Sequence, residues 1–240
     1  MVITLDELKI IANQKGYNLL MIEKDYLITY LLYLIKDIEH IFFKGGTALN
    51  KIFLNYERLS EDLDFTITKN PSEIEESIKN KIKKTIFRDI SYGKKTKSFT
   101  RLILNYKLFH EKGSIYIDLN KNAKLELKPV RYKIKHFYKD IPEFSVNCLD
   151  LKEMIAEKVI ATAERYKPRD FLDLYWIIKN NFIISKKLIL KKRKKFSKDL
   201  IFKNTNKVYS KWDTDLKYLI KTDISFQEVI MTLKEYFNYR

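Results

Sequence analysis

Asp62 and Asp64 stand one residue apart in DLDFTIT, a segment that alternates between polar and apolar residues. Side chains on a strand alternate faces, so Asp62, Asp64 and Thr66 share one face, and Leu63, Phe65 and Ile67 the other. The apolar set reads as a core face. The polar set then carries two carboxylates roughly 7 Å apart along one strand. Like charges so placed repel each other, and a divalent cation would neutralise them. Oxygen-only ligands suit Mg²⁺ or Mn²⁺, which combine carboxylates with substrate phosphates. GSIYIDLN offers a third carboxylate, since Tyr116 and Asp118 point away from Ile115 and Ile117. If that segment pairs beside DLDFTIT, Asp118 joins the same face. Three aspartates on neighbouring strands can hold two metal ions about 4 Å apart and support an in-line displacement. A solvated edge strand is the plain alternative for a D-x-D taken alone.

Gly45 and Gly46, two of only five glycines, lie just upstream, between HIFFK and TALNKIFLN. The first segment reads as a short buried strand and the second as a helix, with Leu49, Ile52 and Phe53 at helical spacing. A glycine pair there lets backbone approach a ligand without a Cβ in the way. The helix start beyond it offers free N–H groups to a phosphate. Thr47 can cap that helix or lend its hydroxyl, and Arg58 and Ser60 can touch the same phosphates. A strand-to-helix turn requiring positive φ, a surface arginine and a turn serine would account for the same residues.

The elements that must position these groups are legible in outline. Residues 5–15 and 18–37 read as helices, the second mostly buried. PSEIEESIKNKIKKTIF (71–87) is an amphipathic helix, with Ile74, Ile78, Ile82 and Ile86 every fourth residue. TRLILNYKLF and SIYIDLN read as a hairpin joined by HEKG, with Gly113 at the turn. Residues 121–147 carry no clear period. From Asp150 the pattern is helical: DLKE resembles a capping box between Asp150 and Glu153. Pro168 then opens a second helix at its first turn. These features predict an α/β or α+β fold, with a change to helical character near residue 147.

Composition narrows the partners. Lysine and arginine number 47 against 31 acidic residues, a formal charge of +16. Such an excess suits polyanionic partners, although lysine on solvated faces gives the same count. KKLILKKRKKFSK reads as a basic helix with a thin seam at Leu188, Leu190 and Phe196. Its Lys191, Lys192, Arg193, Lys194 and Lys195 match a polynucleotide backbone, with a solvated surface helix as the alternative. The lone Cys148 excludes an internal disulfide and a cysteine-based zinc site, and reads as a small buried hydrophobe. The opening MVITLDELKI lacks the basic and apolar regions of a secretory leader. The longest apolar run, Leu27–Ile35, is about half a membrane span. A cytoplasmic, non-membrane protein is expected.

Read together, FKGGTALNKIFLNYERLSEDLDF, IEKDYLITYLL, EMIAEKVIATAER and KPRDFLDLYWI resemble the AbiEii/MenT-type toxin nucleotidyltransferases of the polymerase-β-like superfamily. The likeness runs over about residues 20–180, in the family's order. It implies a bilobed α+β enzyme, with a mixed-sheet lobe over residues 1–147 and a helical lobe over 148–240, in which Gly45 and Gly46 cradle a nucleotide and Asp62 and Asp64 hold metal. It further implies that Lys158 meets the triphosphate, with Asp170 or Asp173 positioning that lysine. Without the resemblance, Lys158 reads as a snorkelling helix lysine. Arg169 and Asp173 read as an ordinary i,i+4 pair. Family members often carry a lysine two residues before the third acidic position, where this chain has Tyr116; either Lys107 or Lys112 replaces it in space, or the nucleotide is held differently. The implied reaction is transfer of a nucleoside monophosphate from an NTP to an RNA 3′ end, foremost the tRNA acceptor stem, with Asp118 helping to deprotonate the attacking hydroxyl. A separately encoded antitoxin is the implied partner. The alternatives are transfer to a protein or small-molecule hydroxyl, or an idle RNA-binding module on the same fold.

Overall fold

The computed structural model describes residues 3–87, 89–109 and 112–239. α1 (Leu5–Lys15) starts at a capping box between Thr4 and Glu7. The apolar α2 (Leu19–Ile35) follows and is buried over most of its length. Then come β1 (Ile41–Lys44), α3 (Gly45–Ile52), β2 (Asp62–Ile67) and α4 (Pro71–Ile82). The next strands are β3 (Asp89–Lys95), β4 (Phe99–Lys107), β5 (Lys112–Asn120), β6 (Val130–Lys133) and β7 (Ser145–Cys148). Helices complete the chain: α5 (Leu151–Arg165), α6 (Pro168–Lys179), α7 (Lys186–Lys192), α8 (Asp199–Phe202), α9 (Thr205–Tyr209), α10 (Trp212–Leu216) and α11 (Phe226–Tyr236). Among the described residues no helix is long and apolar enough to cross a membrane.

The strands form one mixed sheet in the order β3-β4-β5-β2-β1-β7-β6. β2 pairs parallel with β5 and antiparallel with β1. This is the α+β architecture with a mixed sheet that the family resemblance implies. One set of buried side chains joins α1, α2 and α4 to the sheet, and a second unites α6 to α11. Helix α5 feeds both, Met154 and Ile155 facing the first and Ala156, Val159 and Ala163 the second. Alternation in β2 does what it predicts: Leu63 and Phe65 are buried in the core, and Asp62 and Asp64 take the opposite face.

Helix α3, which carries the glycine pair, is fixed on two sides. Its buried Lys51 donates to Asp25 of α2 at 2.7 Å, to Thr29 at 2.8 Å and to the Tyr56 hydroxyl at 2.9 Å. Thr47 donates its hydroxyl to the Asp62 carbonyl, tying α3 to the start of β2.

Several local expectations are corrected. α4 ends at Ile82, so Ile86 lies beyond it. Gly113 sits inside β5, opposite Tyr106, because a Cβ there would lie 2.3 Å from the Tyr106 hydroxyl oxygen. His110 and Glu111 of the expected turn lie outside the described residues. Asp150 does cap α5, accepting from the Lys152 amide, but Glu153 does not reach back. Its carboxylate instead accepts from the amides of Glu126 and Leu127 at 3.0 and 2.9 Å. The basic helix is short, ending at Lys192, and its buried seam is Leu188 and Ile189, with Leu190 exposed. Cys148 is free and buried, and burial pushes its thiol up to about 12, as suits a packing residue.

Candidate active site

Strand register brings four charges into one row. Lys44 of β1 lies opposite Asp64 of β2. Asp64 lies opposite Asp118 of β5, and Asp118 opposite Arg101 of β4. The order across the sheet is cation, carboxylate, carboxylate, cation. The neighbouring row, Phe43, Phe65, Leu119 and Thr100, faces the other way and is buried. The row's strands are thus anchored from beneath. Asp118 therefore does join Asp64, on neighbouring parallel strands. Asp62 shares their face but sits two residues along, opposite Tyr116.

A cavity of about 130 Å³ opens over this row, lined by Lys44, Gly45, Asp64, Asp118, Glu157 and Lys158 among others. Gly45 lines it, Gly46 does not, and the two serve different neighbours. Gly45 has φ +81°, and a Cβ there would fall 2.2 Å from the Asp64 Oδ2. At Gly46 the missing Cβ leaves space for the Arg58 guanidinium, whose Nη2 would lie 2.4 Å away. The first glycine admits a carboxylate and the second a buried cation. Gly45→Ala is expected to push the Asp64 carboxylate out of place and to lower any activity of this site about 100-fold, since a displacement near 1 Å costs that much. A melting curve and an activity assay on the variant check this, and unchanged activity would contradict it.

Burial pushes the Asp64 carboxyl above its ordinary range, and the nearby Asp118 adds to the shift, while Lys44 opposes it. Asp62 is raised as well, chiefly by burial, with Arg169 acting against it. Asp118 is engaged: Arg101 Nε and Nη2 donate to its two oxygens at 2.7 and 2.6 Å. Among the described residues no group of three or more Asp, Glu, His or Cys side chains is gathered closely enough to hold a metal as it stands. The donor chemistry nonetheless fits a hard divalent cation. Two adjacent carboxylates sit in a cavity where their joint ionisation is unfavourable, and only oxygens are on offer. Asp64 and Asp118 would hold such an ion, with Asp62 beside them, once Arg101 releases its partner.

Lys158 enters the cavity from α5. Its Nζ lies 2.7 Å from Asp170 and 2.9 Å from Asp173, both in the first turns of α6. Burial works to lower its pKa, but these two carboxylates overcome that and raise it. Lys158 is therefore a fixed positive charge and not a base at neutral pH. Beneath it, Arg58 Nε and Nη2 each donate to Asp173 at 2.7 Å. Arg58 is only 1% exposed, and its Nη1 donates to the Leu59 carbonyl, so it braces α6 instead of facing the cavity. Thr47 is likewise spent on the Asp62 carbonyl. Ser60 is half-buried and does not line the cavity. Arg169 lies 3.9 Å from Glu61, in place of the expected pairing with Asp173.

The sequence reading missed Lys44, Arg101, Glu157 and Arg165. Glu157 joins Lys44 at 3.0 Å to Lys192 at 2.8 Å. The place left by Tyr116 is not filled by Lys107 or Lys112. Those two face each other at the far end of the hairpin and line a different cavity. The cation beside Asp118 is Arg101, which also packs 5.4 Å from the Tyr116 ring.

Within the basic run, Lys192 is committed to Glu153 and Glu157, and Arg193 pairs with Glu164 at 2.9 Å. Lys191 lies 3.6 Å from Glu126, and Lys194 and Lys195 are exposed. Lys191, Lys192 and Lys194 line a trough with Lys44, Lys124 and Arg165, directly beside the carboxylate cavity.

With this geometry in hand, similarity to known proteins is specific. The profile of the AbiEii family, described as nucleotidyl transferase AbiEii toxin of type IV toxin–antitoxin systems, matches residues 30–235. No curated protein matches in sequence. Among solved structures, MenT4, a nucleotidyltransferase toxin from Mycobacterium tuberculosis H37Rv, superposes with a TM-score of 0.72 at 17% identity, covering 99% of this chain and 89% of its own. JHP933 from Helicobacter pylori gives 0.61 at 20% identity, with 92% of each chain covered. A putative nucleotidyltransferase from H. pylori gives 0.60 at 20% identity, covering 91% of this chain and 93% of its own. At these identities the structural likeness speaks for the fold.

Proposed function

Because this chain belongs to the AbiEii family, nucleotidyltransferase toxins of type IV toxin–antitoxin systems, we propose that it transfers a nucleoside monophosphate from an NTP to the 3′ end of an RNA, with the tRNA acceptor stem as the preferred acceptor. Membership also implies an antitoxin partner. The observation that carries the reading is the row of Lys44, Asp64, Asp118 and Arg101, of which Lys44, Asp64 and Asp118 share one cavity with Lys158.

In this proposal Asp64 and Asp118, with Asp62, bind Mg²⁺ or Mn²⁺. That ion would supply charge neutralisation on the α-phosphate and a lowered pKa for the attacking hydroxyl. Gly45 leaves room for the Asp64 carboxylate to face the ligand, and Gly46 makes room for the Arg58 guanidinium that braces Asp173. Lys158, held charged by Asp170 and Asp173, neutralises the triphosphate as pyrophosphate departs. Lys44 faces the same space from the end of β1. Asp118 accepts the proton of the attacking 3′ hydroxyl.

The acceptor's class is argued from charge. The trough bearing Lys124, Arg165, Lys191 and Lys194 adjoins the carboxylates, and the whole chain is strongly basic. A phosphodiester backbone fits it better than a neutral small molecule does. We assign residues 1–147 to a catalytic lobe and 148–240 to a helical lobe, on the ground that each has its own buried cluster. The reading requires the cytoplasm, where RNA and NTPs are available.

Incubation with each α-labelled NTP, Mg²⁺ or Mn²⁺ and total tRNA tests the proposal. Label on RNA, sensitive to salt, is expected for at least one nucleotide. Label on protein with none on RNA would move the acceptor to a side-chain hydroxyl.

A further inference from the structure

The molecule contains two arginine–carboxylate forks of the same kind and opposite accessibility. Arg58 and Asp173 are sealed, their side chains 2% and 0% exposed. In the Arg101–Asp118 fork the arginine side chain is 41% exposed and the aspartate 14%. The first pair cannot separate without stranding a buried charge. The second can, because the guanidinium leaves toward water and an exposed ion pair is only weakly held.

The rest of the Arg101 side chain is guided. Gly93 of β3 has no side chain, and the Arg101 stem lies across it, so that a Cβ there would be 3.0 Å from the Arg101 Cδ. On the other side the Tyr116 ring flanks the guanidinium. The stem is thus confined between a glycine gap and an aromatic face, while the head alone is free to change partners. Lys44, the cation at the other end of the row, already has Glu157 as a partner at 3.0 Å.

We propose that Arg101 is the resident counter-cation of this site: it occupies Asp118 until nucleotide arrives, then yields that carboxylate to the divalent cation and binds the triphosphate. The inference rests on the reading of Asp118 as a metal ligand. Arg101 competes with a cation that arrives alone, because both need the same two oxygens. A nucleotide removes the competition by offering the guanidinium a phosphate, which it grips in the same forked geometry. Loading of metal and nucleotide is thereby coupled. It follows that Arg101 weakens cation binding in the free protein and strengthens nucleotide binding in the presence of the cation.

Direct binding tests this without reference to turnover. Free Mn²⁺ is titrated by electron paramagnetic resonance against wild type, Arg101→Gln, Arg101→Lys and Asp118→Asn, each first checked for an unchanged melting curve. Arg101→Gln is expected to bind Mn²⁺ alone about tenfold more tightly, while its affinity for an NTP with Mn²⁺ falls about tenfold, the loss of one charged contact. Arg101→Lys should fall between, keeping the charge without the fork. Asp118→Asn should weaken Mn²⁺ binding. If Asp118→Asn weakens Mn²⁺ and Arg101→Gln does not tighten it, the counter-cation role is overturned and the metal site stands. If Asp118→Asn leaves Mn²⁺ binding unchanged, the metal reading of Asp118 fails and the role of Arg101 fails with it.

Discussion

Asp64→Asn is expected to lower nucleotidyl transfer on the order of 10³-fold, while the ligand-free protein becomes more stable. Loss of one preorganised electrostatic group in an active site costs up to about that order of rate. The stabilisation follows from the direction of its pKa. Burial first, and the charge of Asp118 second, raise the Asp64 carboxyl above its unfolded value. A group raised in the folded state favours folding below its unfolded pKa, and loses that contribution as pH climbs through the folded one. At neutral pH Asp64 is thus a cost to the fold, and asparagine, neutral and of the same shape, removes it. Like charges directly opposite on neighbouring strands cost up to about 1 kcal/mol, equivalent to about 2–4 °C in Tm for a chain of this size. Calorimetry of the metal-free protein should show the rise, and added Mn²⁺ should stabilise wild type more than the variant. A lower Tm for Asp64→Asn, or transfer within tenfold of wild type, would refute the assignment of Asp64 as the poised carboxylate.

What could be read in advance depended on whether a feature is local. Alternation in DLDFTIT is written in consecutive residues, and so are the glycine pair, the stop and restart at Pro168 and the cap at Asp150; each is found where the residues indicate. Asp118 required one further guess, that β5 lies beside β2, which a topology of non-consecutive neighbours does not announce. Lys44 and Arg101 were out of reach for the same reason. Each sits visibly on a strand, but only the cross-strand register puts Lys44 opposite Asp64 and Arg101 opposite Asp118. Register is fixed by tertiary pairing and not by composition. The missed strands β3, β6 and β7 are short or polar: DISYGKK contains a glycine and is largely exposed, and VRYK and SVNC span only four residues each. In the basic run, composition suggested one long helix. The chain leaves helix at Arg193 with no glycine or proline to mark it, and Phe196 then packs against the core of the helical lobe. Arg58 illustrates the reverse error. Its proximity in sequence to Asp62 invited a role on phosphates, yet its partner lies 115 residues away, in α6.

That partner carries the largest expected effect on stability. Asp173→Ala should destabilise the protein by about 3–5 kcal/mol, the range for breaking a buried pair by removing one member. Asp173 is fully buried and serves several cations and donors at once: Arg58 by two bonds of 2.7 Å, Lys158 at 2.9 Å and the Asn50 amide at 3.3 Å. Burial alone would raise its pKa, but Arg58 and Lys158 hold it down to about 2. Its contribution is therefore present above the unfolded carboxylate range and is lost as pH falls toward 2. In the alanine variant Arg58 keeps only the Leu59 carbonyl, and Lys158 must rely on Asp170 alone. Two positive charges would then share a dry space beneath Gly46, and Arg58 has no path to solvent. Urea titration at neutral pH should show a fall in unfolding free energy of that magnitude, or about 6–20 °C in Tm. Arg58→Met in the Asp173→Leu background should recover part of the loss, because removing both charges together leaves neither stranded. Additive destabilisation of the two changes would mean that the pair does not act as a unit. Lys158 would then owe its charge and its fixed place at the mouth of the cavity to Asp170 and not to the buried fork.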